Sequence, residues 1–176
     1  MPVVRQVHWI SLIPQLVAIA GLALLTYAIF PRVGFIRASF IAALGYLIFC
    51  RVMRSVLTRD HILGMRAYQA QHFDDAILHF DNSYRFFSAH RKLDAWRSLL
   101  FGVASRNSYR IIALCNKAYC YGQTAHGPEA MMLYEQVLNE DPKCMLAQTS
   151  LTMLRAGSAG TNEPPAPNKS LQVSRD

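Results

Sequence analysis

No aspartate or glutamate precedes Asp60 in this chain of 176 residues, and from Trp9 to Cys50 the only fully charged side chains are Arg32 and Arg37. A stretch so poor in charge suits burial or a bilayer rather than a solvated surface. Beyond Asp60, acids and bases interleave closely, so one chain faces two solvents. Proline is absent between Pro31 and Pro128, and strand signals are few. Long helices can therefore run unobstructed, and the expected fold class is all-α. The four cysteines (Cys50, Cys115, Cys120 and Cys144) make no CxxC or zinc spacing. The chain is also too large and apolar to need a disulfide framework, so buried free thiols in a reducing compartment are expected. There is no Gly-rich phosphate loop, HExxH, nucleophile elbow or dinucleotide fingerprint, and His61, His72, His79, His90 and His126 show no i, i+3 or i+4 pairing. Asp74-Asp75 suits the first turn of a helix better than a metal or acid/base pair. The expectation is a protein that is not an enzyme, with no cofactor, no metal and no small-molecule substrate.

The net charge of +7 raises nucleic acid as a partner, and its distribution argues against it. Arg5, Arg32, Arg37, Arg51 and Arg54 flank the apolar segments, where lipid headgroups would lie, while later bases are nearly matched by acids. A nucleic-acid binder would gather its bases on one face of the folded domain.

Residues 9–30 read WISLIPQLVAIAGLALLTYAIF, long enough at about 1.5 Å per residue to cross a hydrocarbon core of about 30 Å. Trp9 and Tyr27 stand near opposite ends, where amphipathic rings favour the interface. A cleaved signal peptide would have a shorter apolar core, and no small-x-small site follows before Pro31. The second segment, 33–54, needs Arg37 to snorkel at one end and Arg51 and Arg54 at the other. Its alternative is a buried or interfacial helix. Pro31-Arg32 is too short for a folded loop, so residues 1–57 are expected to form a transmembrane hairpin. Arg5, Arg51, Arg54 and Arg59 on the side of the termini outnumber Arg32 and Arg37 at the turn. The positive-inside rule then gives a multi-pass protein of the inner (plasma) membrane with both termini cytoplasmic.

Residues 58–156 carry an internal repeat. Leu63, Gly64, Ala76 and Phe80 mark one copy, and Ala118, Tyr121, Ala130, Tyr134 and Pro142 the other. Small residues (Gly64, Ala76, Ala118, Ala130) let paired helices approach, Phe80 and Tyr134 fill the space beside them, and Pro142 ends a helix. Ala76 and Ala130 lie 54 residues apart, and the excess contains Leu93 to Ala104. Trp96, Leu99, Leu100 and Val103 share one face there, predicting one added helix, either packed between the repeats or lying on the membrane surface with Arg97 and Arg106 at lipid phosphates. Residues 145–154 suit a capping helix, and 157–176, rich in Gly, Pro, Ser and Asn, a disordered tail.

These two stretches resemble tetratricopeptide repeats, helix–turn–helix units of about 34 residues. The second copy is the closer match, since the first has Ser88 in place of the closing proline and Ala67 where an aromatic is usual. With the preceding spans, the whole resembles small bacterial membrane-anchored tetratricopeptide proteins, which implies an architecture and no particular activity. The resemblance implies a partner groove on the first helix of each repeat: His61, Met65, Tyr68 and Gln69, then Ile112, Cys115, Tyr119 and Gln123. The Lys and Asn of the family's carboxylate-clamp version are missing from these positions, so capture of a free C-terminal peptide in that mode is not expected. The expected function is a membrane-anchored adaptor that holds a protein partner. The alternative is a non-catalytic subunit of a larger membrane complex, joined through the hairpin, whose Ala20, Gly21, Ala23, Ala42, Ala43 and Gly45 permit close helix packing.

Overall fold

The computed structural model describes residues 13–102 and 107–161, without the side chains of 33 and 159–161. Among the described residues there is no strand, and the chain is an all-α assembly. Its helices are α1 (Ile13–Ile29), α2 (Phe35–Leu57), α3 (Arg59–Gln69), α4 (Phe73–Ala89), α5 (Arg91–Ala95), α6 (Arg97–Phe101), α7 (Tyr109–Gln123), α8 (Gly127–Glu140) and α9 (Met145–Thr161).

α1 and α2 pack along one another, joined by a 3-10 turn over Pro31–Val33 and by Gly34, whose φ of 80° is costly for any residue with a Cβ. Their contact is made by small residues, with Ala23, Ala38 and Ala42 buried, while Leu16, Val17, Leu44, Leu47 and Ile48 stand exposed around the outside. α2 is long and apolar enough to cross a membrane, and α1 is a shorter apolar helix in its described part. Residues 9–12 of the expected first span lie outside the described residues.

Only Thr58 separates α2 from α3; it is buried, and both its N–H and its hydroxyl bond the Arg54 carbonyl. From there each helix packs on its neighbour: α3 on α4, α4 on α7, α7 on α8, α8 on α9. Two of the turns between these helices are alike in the backbone. Gln71 and Ala125 occupy equivalent places and both have left-handed φ, 61° and 62°. The next residues, His72 and His126, donate to Ala67 O and Tyr121 O at 2.9 and 3.0 Å. The side chains follow suit: Ala76, Ala118 and Ala130 are fully buried beside Phe80 and Tyr134. Gly64 is held against Phe80 so closely that a Cβ there would come within 2.8 Å of the ring. Polar ties lock the layers: Lys117 to Asp81 at 2.6 Å, Arg110 to Glu140, and Tyr84, which donates to Glu140 and accepts from Gln136.

The segment between the repeats departs from expectation. The one helix predicted from Leu93 is two short ones, α5 and α6, broken at Trp96 and ended by Gly102 in the left-handed region. Residues 103–106 of the expected helix, with Val103 and Arg106, lie outside the described residues. Nor does the insert pack solely between repeats. Phe101 does join Phe87 and Tyr109 in a buried aromatic cluster, but α6 also lies on α1 and α2. The physical reason is Asp94, which is 4% exposed. Its carboxylate turns back to accept from the backbone N–H groups of Tyr109 and Arg110 at 2.9 and 3.2 Å, capping α7 alongside Ser108. That capping carboxylate ties α5 to the start of α7, and α6 beyond the Trp96 break lies against the first helix pair. At the other end, α9 continues to Thr161, beyond the boundary expected at 156, and residues 162–176 of the expected tail lie outside the described residues.

Candidate partner-binding cavity

α3 and α7 run side by side in the same direction. His61 meets Tyr109, Met65 Sδ lies 3.5 Å from Asn116 Nδ2, and Tyr68 meets Tyr119 edge-on at 5.5 Å. α9 continues the row, because Pro142 and the turn before Cys144 bring it back beside α8. Between these helices lies a cavity of about 150 Å³, lined by Met65, Tyr68, Cys115, Asn116, Tyr119, Tyr134, Leu146 and Ser150. A cavity of that size accepts a benzene ring. Its walls are mostly aromatic, aliphatic and thiol, with hydroxyl and amide groups at intervals.

Four of the eight residues predicted for the groove converge there: Met65, Tyr68, Cys115 and Tyr119. The other four do not. The His61 ring is sandwiched edge-on between Phe80 and Tyr109, where α3 meets the start of α7. Burial, and then the Arg54 charge, hold its pKa down near 4. It is a neutral packing residue. Gln69 and Gln123 are exposed at helix C-termini, and Ile112 is half-buried without lining the cavity.

Sequence reasoning missed Asn116, Leu146 and Ser150, and assigned Tyr134 to packing alone. The signal for the last two was available. A helix that follows a repeat's closing proline stands where the next repeat's first helix would, so its inward face extends the groove.

The polar groups of the cavity are coupled. Contact between the Tyr68 and Tyr119 hydroxyls, with burial, raises the pKa of Tyr68 above its ordinary value. Burial pushes Tyr134 up to about 12, opposed by a hydrogen bond with Ser150. Behind the wall, Cys115 touches Cys144, which opens α9. The Cys115 thiol pulls Cys144 down to about 6; burial opposes this, and the backbone N–H groups of Ala147 and Leu146 assist it. Cys115 is correspondingly raised, so the two thiols share their protons as a pair. Both are free and buried, as are Cys50 and Cys120. Among the described residues no group of three or more His, Cys, Asp or Glu is placed to hold a metal ion.

Comparison of the chain with protein-family models, with curated proteins and with solved structures finds no match in any of the three.

Proposed function

We propose that this chain is a membrane-anchored adaptor with a tetratricopeptide-like helical stack. In this reading α1 and α2 cross the bilayer as a hairpin, both termini are cytoplasmic, and the cavity between α3, α7 and α9 takes an anchoring side chain of a protein partner. The observation that carries the reading is the cavity itself. Residues on two helices separated by a long insert line one apolar, concave site of about 150 Å³. That volume suits a single aromatic or branched aliphatic side chain, and binding through one such anchor is expected at about micromolar strength. The exposed apolar girdle of α2, with Arg32 and Arg37 at one end and Arg51 and Arg54 at the other, supports the anchoring role.

The second reading, a subunit of a larger membrane complex, has its own support. Gly21 and Gly45 are not used between α1 and α2; a Cβ at either would meet nothing within 4 Å. Both are open to a further helix.

Site-specific photo-crosslinking in cells, with the full chain, separates the two. A crosslinking residue at Tyr119 is expected to trap a partner, while one at outward-facing Met132 does not. Adducts from Gly45 alone would move the function into the membrane, and adducts from neither position would refute both readings.

A further inference from the structure

Gln15 and Tyr46 are polar groups within apolar helices, and both reach the same short segment. Gln15 Nε2 donates to the Ser98 carbonyl at 2.8 Å, and the Tyr46 hydroxyl donates to the Leu99 carbonyl at 2.8 Å. The Cys50 thiol lies 3.5 Å from that second carbonyl. α6 is a helix of one turn, and two of its carbonyls take these side-chain donors. In water such groups are solvated at no cost. At membrane depth they are tolerated only where protein supplies the donors. Here the donors come from the two helices whose own side chains would otherwise be unsatisfied in hydrocarbon.

The level of the clamp is fixed by helix geometry. α2 rises about 17 Å from Phe35 to Tyr46, and α1 about 21 Å from Ile29 to Gln15, at about 1.5 Å per residue. A hydrocarbon core is about 30 Å thick. With the Pro31–Val33 turn at one face, the α6 carbonyls fall short of the other face, below the level of Arg51 and Arg54. Trp96, just before α6, is 61% exposed, and beside this level α2 presents exposed Phe49 and Val52. Exposed Arg91 and Lys92 precede it on α5. An exposed indole between a basic turn and an apolar one is the arrangement favoured at a headgroup boundary.

We propose that the segment from Trp96 to Phe101 is a third membrane element. It enters the edge of the hydrocarbon on the side of the termini, held there by Gln15 and Tyr46, with the Trp96 indole among the lipid headgroups and the bilayer itself as its partner. This rests on the reading of α1 and α2 as spans. It also makes the insert the fixed joint between anchor and stack, because the same segment caps α7 through Asp94.

The chain has two tryptophans, so Trp9→Phe leaves Trp96 as the sole indole, and Trp96→Phe supplies the complementary spectrum. The full-length protein is reconstituted into vesicles of phosphatidylcholine and phosphatidylglycerol, with and without lipids brominated on the upper acyl chain. Trp96 emission is expected to be blue-shifted, to lose most of its intensity to the brominated lipid, and to resist acrylamide. Gln15→Leu combined with Tyr46→Phe should reverse this by removing both side-chain donors, making Trp96 accessible to acrylamide. Water-like emission untouched by brominated lipid would overturn the proposal, as would blue-shifted emission that brominated lipid does not quench, which would mean cover by protein. Alkaline carbonate extraction of the same vesicles keeps the two readings apart. Release of the protein refutes the spans themselves; retention with an aqueous Trp96 refutes only the third element.

Discussion

In α1 and α2 the buried residues are Ala23, Ala38, Ala42, Tyr46 and Cys50, and nearly every large apolar side chain points outward. In α3, α4, α7 and α8 the buried small residues are again at the contacts (Gly64, Ala76, Ala118, Ala130), but the large ones, Phe80, Phe87, Leu114 and Val137, point inward. The helix-to-helix contact is made alike in both regions, while the outer surface is inverted. Close approach through small residues is a matter of backbone geometry and works in any solvent. Where the large side chains go depends on what surrounds the bundle: water drives Phe80 inside, and lipid would leave Phe40 indifferent.

The largest effect expected from this contrast is in one pair of truncations. Phe80→Ala, at a fully buried position, should cost about 3–5 kcal/mol in thermal or denaturant unfolding. Phe40→Ala, 74% exposed on α2, should leave that transition unchanged and weaken retention by vesicles instead. Equal losses of stability from both would erase the distinction between the regions.

Next comes pH. His61 titrates near 4 when folded and near 6.5 when unfolded, so between those values the unfolded chain holds more protons. Stability is full above about 6.5 and falls as pH drops through the window, by about 2–3 kcal/mol at pH 4. Melting curves of the wild type and His61→Phe should therefore diverge in their pH dependence over that range, with the variant the flatter of the two.

Glycine substitution gives a smaller contrast. Gly64→Ala drives a methyl into Phe80 and should cost about 1–3 kcal/mol, whereas Gly45→Ala meets open space and should cost nothing. Smallest of all, Arg155→Ala breaks an exposed pair with Glu135 and should change stability by no more than about 0.5 kcal/mol. Lys117→Ala, which removes a less exposed partner of Asp81, should exceed it.

Much of the stack was legible in the chain because small-then-aromatic spacing is a local pattern. Gly64 with Phe80 and Ala118 with Tyr134 could be paired from sequence, and the equivalent turns at Gln71 and Ala125 fell at the same offset. The candidate cavity was half legible. Met65, Tyr68, Cys115 and Tyr119 are among the positions the resemblance to tetratricopeptide repeats implied, whereas the displacement of His61 depends on how α3 meets Tyr109, and the inclusion of Leu146 and Ser150 depends on where α9 returns. The insert was the least legible part. Its apolar spacing suited one amphipathic helix, but the break at Trp96 answers to partners outside the segment: Asp94 reaches α7, 15 positions on, and Ser98 and Leu99 reach α1 and α2, 83 and 53 positions back.

By itself, then, the sequence determined that the chain is helical, that its first third is set apart by a lack of acids, and that two later stretches share a small-then-aromatic spacing. Those are properties of periodicity and composition, which act over a few residues or as averages. Only the tertiary structure decided that the insert packs against both α1–α2 and the start of α7, and which side chains close the cavity. Both rest on directional hydrogen bonds and on ring contacts between residues on different helices, from Asp94 with Tyr109, 15 positions apart, to Gln15 with Ser98, 83 apart. No local pattern encodes such pairings, because each exists only once the helices have met.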